Sequence, residues 1–337
     1  MKTNLSDVEA LLICPVCSQT IIRTKGHFFC KKCNHHYPTV QSIPILISSK
    51  DRHKTREAAY HSSISDIYRR LHHMAAYRNY HFHKLSLKPI LKLKKRSIIL
   101  ELGCGIGYDA ITLLKKGHLV VETDISPGQV QEARKQIGKK GLGRQALFYI
   151  ADAENIPFAN ESFNASFIVA SLHHLENPLR AIQEMKRCTK YGGSIIIAME
   201  PNRYEWILVF RFVFSFIKQI IMHTPGKRFF QKVIERADRY REPTIERTFS
   251  KGEILLLAKQ AGLSAVEIKG IWFFCGFIHW FLTMLNKLST KNWTIRTDIE
   301  ALFVHLDDVL ARFPILNNFA CHWTIQCTNT QCKKEIG

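Results

Sequence analysis

The sequence lacks a long, uninterrupted apolar segment. The most apolar stretch, residues 206–222, is interrupted by Arg211, Ser215 and Lys218, and a second one, residues 271–285, is shorter than the ~20 residues that a membrane-spanning helix needs. Residues 1–10 are polar, so they do not predict a secretory signal peptide. We therefore expect a cytoplasmic protein with no transmembrane span. The two apolar stretches are compatible with peripheral contact with a membrane.

Acidic residues are few relative to basic ones. The 337 residues include 28 Asp and Glu against 48 Lys and Arg, which gives a formal net charge of +20. Such an excess favours an anionic partner, such as a nucleic acid, an acidic membrane surface or a phosphorylated small molecule. A basic surface without a specific partner is also compatible with the charge alone. Hydrophobic residues make up 46% of the chain, which excludes a largely disordered protein.

The chain divides into segments with different patterns. Residues 1–48 are rich in cysteine, whereas residues 49–96 are polar and basic, contain no glycine and carry six histidines between His53 and His83. From residue 97 onwards, apolar strand patterns alternate with helical ones, which is typical of an α/β domain. We predict an N-terminal domain at 1–48, a basic helical linker at 49–96 and an α/β domain at 97–337, with its core at 97–200 and a helical cap and the last two strands at 201–337.

Five strand patterns joined by four crossovers make up the predicted core. They read SIILEL, HLVVETD, ALFYIAD, ASFIVASL and SIIIAME. Ser126 before Pro127 predicts the start of one connecting helix, with Gln129 closing a capping box, and Asn177 before Pro178 predicts another. Right-handed crossovers between parallel strands give a doubly wound, Rossmann-like sheet, which binds its ligands at the carboxyl ends of the strands.

Three glycines follow the first of these strands within five positions, in LELGCGIGYD (residues 100–109). A dinucleotide-binding loop reads G-x-G-x-x-G, but here the third glycine, Gly107, comes one position early. A P-loop would end in Gly-Lys-Ser/Thr, which this loop lacks. The loop therefore matches neither a dinucleotide site nor a nucleoside triphosphate site.

The order of the motifs resembles the class I S-adenosylmethionine-dependent methyltransferases, in particular the subgroup that acts on small molecules and lipids. The resemblance rests on LELGCGIG, ETDIS, ADAENIPF, SFNASFIVASLHHLENP and GGSIIIAMEPN. It implies a seven-stranded sheet with a helical insertion before the last strand, and S-adenosylmethionine as cofactor. One residue departs from the family pattern, because Asn164 stands where an aspartate is usual.

S-adenosylmethionine carries a sulfonium and an ammonium group and no phosphate, so its site needs carboxylates rather than lysines. Glu101, Asp124 and Asp152 each end a different predicted strand. Asp124 is placed to accept hydrogen bonds from both ribose hydroxyls, and the resemblance implies that Asp152 accepts one from the adenine amino group. The glycines are expected to let the backbone approach the cofactor. The predicted cofactor-binding residues are Glu101, Gly103, Gly105, Gly107, Asp124, Asp152 and Ala153.

Four of the ten cysteines form two C-x-x-C pairs, Cys14 with Cys17 and Cys30 with Cys33. In a reducing compartment this spacing predicts a structural, tetrahedral zinc site, and four cysteines in two pairs disfavour the alternative of a redox dithiol. The segment FFCKKCNHHYPTVQSIPIL also resembles the zinc ribbons that are fused to, or partnered with, methyltransferases. Among them are the ribbons of rRNA guanine methyltransferases, whose last ligand is usually histidine where Cys33 stands here. We therefore predict that residues 1–48 are a zinc ribbon.

No general base is assigned from the sequence, so the catalytic residues are unknown. Methyl transfer from a sulfonium can be accelerated largely by alignment and proximity, with a base needed only for an acidic acceptor group. His173, His174 and Glu200 follow the fourth and fifth strands and are the candidates, although packing of the loop is an alternative role for the histidines. The aromatic stretches near the C-terminus are either core, a lid over the acceptor or a membrane-facing surface.

Three functions are compatible with these patterns. The first, which LHHL and EPN favour, is methyl transfer to a small-molecule or lipid-like acceptor. The second is methyl transfer to rRNA or another nucleic acid, with the ribbon and the basic surface as docking sites; the chain lacks the Asn/Asp-Pro-Pro-Tyr motif of enzymes that modify exocyclic amines of bases. The third is a non-catalytic protein that binds the cofactor or acts as a scaffold.

Overall fold

The structure is a computed structural model, and it describes residues 5–24, 27–48, 52–65, 76–203, 246–288 and 293–330. The N-terminal segment begins with a short helix, followed by a three-stranded antiparallel sheet and a hairpin. Its elements are α1 (Leu5–Glu9), β1 (Ile22–Thr24), β2 (His27–Cys30), β3 (His35–Tyr37), β4 (Thr39–Val40) and β5 (Ile43–Leu46).

The described residues between this segment and the α/β domain are helical. They form α2 (Arg52–Ser63), α3 (Ala76–Ser86) and α4 (Lys88–Leu91). The α2 helix packs on the start of a helix of the α/β domain, where Ser62 Oγ lies 2.8 Å from Ser126 Oγ and accepts a hydrogen bond from the Gly128 N–H (3.1 Å). The predicted linker therefore lies against the α/β domain.

The core of the α/β domain follows the predicted alternation of strands and helices. Its elements are β6 (Ile98–Leu102), α5 (Tyr108–Lys115), β7 (Leu119–Asp124), α6 (Pro127–Lys139), β8 (Ala146–Ala151), β9 (Phe163–Val169), α7 (Pro178–Cys188) and β10 (Thr189–Pro201). Strands β6 to β10 are parallel to their neighbours in this set, which confirms the Rossmann-like arrangement. Both faces of the sheet are covered: Ile98, Leu100 and Leu102 pack in one apolar cluster and Ile99 packs in another.

The C-terminal part completes the sheet as predicted. Its elements are α8 (Lys251–Gln260), β11 (Ser264–Ile271), α9 (Phe274–Leu288), α10 (Thr297–Leu310), α11 (Pro314–Asn317) and β12 (His322–Thr328). Strand β12 lies between β10 and β11 and runs antiparallel to both. Three helices separate β11 from β12, so the helical insertion before the last strand is confirmed.

The prediction of seven strands was wrong, because the described residues form a sheet of nine strands. The strand order is β11-β12-β10-β9-β6-β7-β8-β5-β4. Strand β5 pairs in parallel with β8, at Ile45 with Ile150 and Leu46 with Ala151, and β4 adds an antiparallel edge. The apolar SIPIL stretch thereby buries Ile43 and Leu46, and its backbone satisfies hydrogen-bonding groups that β8 would otherwise expose at an edge.

Local signals in the sequence place the helix starts correctly, with one exception. Ser126 and Asn177 accept hydrogen bonds from the N–H groups three residues on, at 3.2 and 3.0 Å. Gln129, however, does not close a capping box; its side-chain amide donates to the His61 carbonyl (3.0 Å) and so helps to hold α2. Asn164, the departure from the family pattern, accepts a hydrogen bond from the Ile98 N–H (2.8 Å), which is a structural role.

The apolar stretches have different outcomes. Residues 206–222 lie outside the described residues. Residues 271–285 are divided between the end of β11 and α9, which is 15 residues long. No helix in the described ranges combines the length and the apolar character that a membrane crossing requires.

Candidate functional site

A cavity of about 350 Å³ lies at the carboxyl ends of the parallel strands. Its lining includes the glycine loop after β6 and the ends of β7, β8 and β9. The helices α2 and α3 and the segment after β11 also contribute side chains. Of the predicted cofactor residues, five line the cavity: Gly103, Gly105, Asp124, Asp152 and Ala153.

Asp124 connects the glycine loop to the end of β7. One carboxylate oxygen, Oδ2, accepts a hydrogen bond from the Gly105 N–H (3.0 Å), and Oδ1 accepts one from the Ser126 N–H (2.8 Å). Burial raises the pKa of Asp124, while these two N–H groups and the nearby His61 oppose the rise. A carboxylate oxygen has lone pairs beyond the one engaged here, so Asp124 can accept further hydrogen bonds from a ligand in the cavity.

The three glycines of the loop differ in what surrounds them. A Cβ added to Gly103 would lie 2.6 Å from Ser171 Oγ, and one added to Gly107 would lie 3.0 Å from the Ala133 Cβ. At Gly105, where φ is +52°, an added Cβ would meet nothing within 4 Å. Packing within the protein therefore requires Gly103 and Gly107 to be small, and Gly105 is the position at which the backbone presents open space to a ligand.

Asp152 is held by a lysine that sequence reasoning missed. Its Oδ2 lies 2.5 Å from Lys54 Nζ, and its Oδ1 accepts a hydrogen bond from the Glu154 N–H (2.9 Å). Lys54 Nζ is also 3.2 Å from Glu154 Oε2. Burial lowers the pKa of Lys54, but the two carboxylates outweigh it and leave the pKa raised. A ligand that hydrogen-bonds to Asp152 must therefore share this carboxylate with Lys54 of α2.

Glu101 does not line the cavity, unlike the other predicted carboxylates. It is buried in β6 and lies opposite Glu122 of β7, which is also buried. Burial and the facing carboxylate raise the pKa of Glu101, and burial raises the pKa of Glu122 to about 8. Within the described part of the chain no N–H or O–H of another group donates to Glu122. Burial therefore favours the protonated form of this pair, and Glu122 was not singled out from the sequence.

We expect Glu122→Gln to stabilise the protein by an amount that grows as the pH rises from about 4.3 to about 8. Between the pKa of about 4.3 in the unfolded chain and about 8 in the folded chain, only the folded state holds this proton. The free energy of unfolding therefore falls as the pH rises through this window, by at most ~1.4 kcal/mol per pH unit. Glutamine has the shape of the neutral carboxyl group and does not titrate, so the variant does not lose this stability. Urea denaturation at pH 5.5, 7 and 8.5 measures the free energy of unfolding of the variant and of wild type. An equal difference between them at all three pH values would contradict the assignment.

The structure separates the three catalytic candidates. His174 lines the cavity, and His173 instead lies with its Nδ1 2.9 Å from Glu200 Oε2. Glu200 is fully buried and accepts hydrogen bonds from the N–H groups of Ser171, Leu172 and His173 at 3.0–3.1 Å. Glu200 therefore fixes the turn that carries the histidines.

A second group of side chains that sequence reasoning missed faces His174 from α2. Glu57 is buried, its Oε2 lies 3.1 Å from His61 Nε2, and its Oε1 lies 3.4 Å from His53 Nε2. The ring of His61 contacts that of His174 edge-on, with centroids 5.1 Å apart. These groups can accept or hold a proton at the cavity. The run of histidines between residues 53 and 83 was the only signal for them in the sequence.

The four predicted zinc ligands lie together in the N-terminal segment. Cys14 Sγ is 3.5 Å from Cys33 Sγ, Cys17 Sγ is 3.4 Å from Cys30 Sγ, and all four sulfurs lie within 4.8 Å of one another. Four sulfurs that bind zinc at about 2.3 Å in a tetrahedron are about 3.8 Å apart, so a small movement suffices. The cluster is therefore compatible with a zinc site.

Comparisons with known proteins bear on the α/β domain. Residues 100–197 match the family model described as a methyltransferase domain. Methyltransferase GfsG of Streptomyces halstedii is 33% identical over 101 residues, which are 30% of this chain and 36% of that protein. Demethylmenaquinone methyltransferase of Bacteroides fragilis is 26% identical over 180 residues, which are 52% of this chain and 71% of that protein. The chain spans only 18–38% of the length of the first five curated relatives that it matches.

The solved structures agree with the fold. A chain from the complex between the Haloferax volcanii Trm112 methyltransferase activator and a methyltransferase superposes with a TM-score of 0.50 at 14% identity, and the match covers 85% of this chain and 100% of that one. At this identity the likeness concerns the fold alone. Together with the sequence match, it shows that residues 100–197 are similar to a methyltransferase domain in sequence and in fold.

Proposed function

We propose that this protein is an enzyme that transfers a methyl group from S-adenosylmethionine to a small-molecule acceptor in the cavity. The observation that carries the proposal is Asp124, whose carboxylate fixes the Gly105 backbone at the cavity wall. Asp152 lines the same cavity from the next strand of the sheet. This arrangement supplies carboxylates and an open backbone position, and no described residue of the loop offers a phosphate-binding lysine.

The residues present fit the cofactor. Asp124 would accept hydrogen bonds from the ribose hydroxyls, and Asp152 with Ala153 would bind the adenine. When bound, S-adenosylmethionine supplies an electrophilic methyl group on a sulfonium with a good leaving group. The protein's contribution is to orient the acceptor and to exclude water. His174, facing Glu57 and His61, is the group best placed to take a proton from an acidic acceptor.

The proposed acceptor class follows from the size of the cavity and from the relatives. A cavity of about 350 Å³ is in the range of small-molecule sites. The Bacteroides relative is named for a quinone, and another relative, at 31% identity over 111 residues, is named ajmaline N-methyltransferase. We further propose that the four cysteines of the N-terminal segment hold a structural zinc ion, since they offer four sulfurs and no open position.

Transfer of labelled methyl groups tests the function. The full chain is incubated with methyl-labelled S-adenosylmethionine and a cell lysate that is then separated into small-molecule, lipid, RNA and protein pools. We expect the label in the small-molecule pool and at least a tenfold lower yield when Asp124 is replaced by alanine. Label confined to RNA or protein would overturn the proposed acceptor class. No transfer to any pool, with S-adenosylmethionine bound, would overturn the enzymatic function.

A further inference from the structure

Arg78 is a buried guanidinium in the wall of the cavity. It lies in α3, is 2% exposed and lines the cavity together with Trp272, which follows β11. The guanidinium carbon lies 4.3 Å from the centroid of the Trp272 ring, so that the two planar groups form a cation–π contact. The only residue that accepts hydrogen bonds from the Arg78 side chain among the described residues is Asn79, whose Oδ1 is 3.2 Å from Nε and 2.7 Å from Nη2.

No carboxylate of the described residues pairs with this guanidinium. The Glu300 carboxylate accepts hydrogen bonds from the N–H groups of Tyr77 and Arg78 at the start of α3, at 3.2 and 3.0 Å. The Asp307 carboxylate likewise accepts hydrogen bonds from three N–H groups at the start of α9, those of Phe273, Phe274 and Cys275, at 2.8–3.2 Å. Both acids therefore bind helix N-termini, and they act on Arg78 only through their charge.

Arg78 nevertheless stays charged. Burial lowers its pKa to about 10, and the nearby carboxylates of Glu300 and Asp307 limit the fall. At neutral pH the cavity wall thus contains a positive charge that is removed from water and has no ion-pair partner among the described residues. Such a charge is costly unless a ligand compensates for it.

Two hydrogen-bond donors at this place find no acceptor in the part of the chain that the structure describes. They are Arg78 Nη1 and Trp272 Nε1, and both atoms are buried. Neither group can act as an acceptor, so a ligand that satisfies both must present acceptor atoms. An oxyanion provides them and neutralises the guanidinium as well.

We propose that Arg78 and Trp272 bind an anionic group, a carboxylate or a phosphate, of the methyl acceptor. This inference rests on the proposed function. The Arg78 guanidinium packs on Trp272, and the Arg78 backbone N–H donates to Glu300. Both partners belong to the C-terminal part of the chain rather than to the strand ends that carry Asp124 and Asp152. The anionic group therefore lies on the side of the cavity that the C-terminal part forms, and the net charge of +20 agrees with an anionic acceptor.

Calorimetric titrations of Arg78→Met, which keeps the apolar stem and removes the charge, test the assignment. The probes are benzoate and phenyl phosphate, with benzyl alcohol as the neutral analogue, each titrated into the chain saturated with S-adenosylhomocysteine. Arg144→Met is the matched control, because Arg144 is exposed and does not line the cavity. We expect wild type and the control to bind one of the anionic probes at least tenfold more tightly than benzyl alcohol, and Arg78→Met to lose this preference. Trp272→Phe, which loses only the N–H, should weaken binding of the same probe about three- to tenfold.

The cofactor's own carboxylate is the competing source of an anion, and two further titrations separate it. S-adenosylhomocysteine carries this carboxylate, and methylthioadenosine lacks it. We expect Arg78→Met to bind both within about twofold of wild type. A loss of affinity for S-adenosylhomocysteine alone would assign Arg78 to the cofactor and overturn the proposal. If Arg78→Met lost its affinity for both ligands, and no binding that depends on Asp124 remained, the cofactor site itself would have failed. The proposed function would then fail with it. If Arg78→Met bound every probe as wild type does, the proposed anion site would be wrong. If Arg78→Met does not fold, the same titrations of Trp272→Phe against wild type test the site instead.

Discussion

Replacing Asp124 with alanine lowers the affinity of the chain for S-adenosylhomocysteine by at least about 100-fold. The carboxylate is expected to accept two hydrogen bonds from the ribose, and hydrogen bonds to a charged group contribute about 1.5–3 kcal/mol each. The substitution also removes the acceptor of the Gly105 N–H, so the glycine loop loses its connection to β7. Isothermal titration calorimetry of the full chain measures the affinity directly.

A matched variant separates this effect from a general loss of charge. Asp298 lies in α10, its side chain is exposed, and it pairs with the exposed Arg296 at 2.8 Å. Asp298→Ala also removes one carboxylate but leaves the cavity unchanged. The affinity of this variant for S-adenosylhomocysteine should therefore equal that of wild type. If Asp124→Ala bound S-adenosylhomocysteine as tightly as Asp298→Ala does, the proposed cofactor site would be wrong.

We expect Cys14→Ser to abolish binding of the proposed zinc ion and to lower the midpoint of thermal unfolding by at least about 5 °C. Structural zinc sites contribute about 10–16 kcal/mol of apparent binding free energy, which is also folding free energy for a segment this small. Even a fraction of that loss is enough, since ~1 kcal/mol corresponds to a shift of about 2–4 °C in domains of this size. Elemental analysis gives the zinc content, and differential scanning calorimetry gives the midpoint.

The loss of zinc should also weaken cofactor binding, because the N-terminal segment supports the loop after β8. The Ile13 N–H donates to the Pro157 carbonyl (3.0 Å), and the Asn155 side chain donates to the Pro15 carbonyl (2.9 Å). This loop begins at Asp152. Cys327→Ala, which removes a buried thiol of β12 outside the cluster, should keep one equivalent of zinc. Wild-type chain that contains no zinc after purification with zinc present would refute the site.

The sequence predicts the features that short segments determine. The helix starts at Ser126 and Asn177 depend on hydrogen bonds over three residues, and both hydrogen bonds are present. The parallel order of β6 to β10 follows from apolar runs and right-handed crossovers. Because such strands bring their carboxyl ends to one edge, Asp124 and Asp152 were expected to lie near each other, and they line the same cavity.

Contacts between distant segments account for what was missed. Lys54 and Asp152 are 98 residues apart in the sequence, and Arg78 contacts Trp272, which follows a strand of the C-terminal part. The polar, histidine-rich pattern of residues 49–96 therefore resembled an exposed linker, although α2 and α3 line the cavity. Glu122 was missed for a related reason, because its burial depends on neighbouring strands that cover both of its sides.

A structure of the full chain with S-adenosylhomocysteine tests the central claim most directly. The account predicts that the ligand occupies the cavity, with both ribose hydroxyls within about 3.2 Å of the Asp124 carboxylate and the adenine amino group within hydrogen-bond distance of Asp152. A nucleoside bound elsewhere on the chain, or one in the cavity whose ribose points away from Asp124, would contradict it.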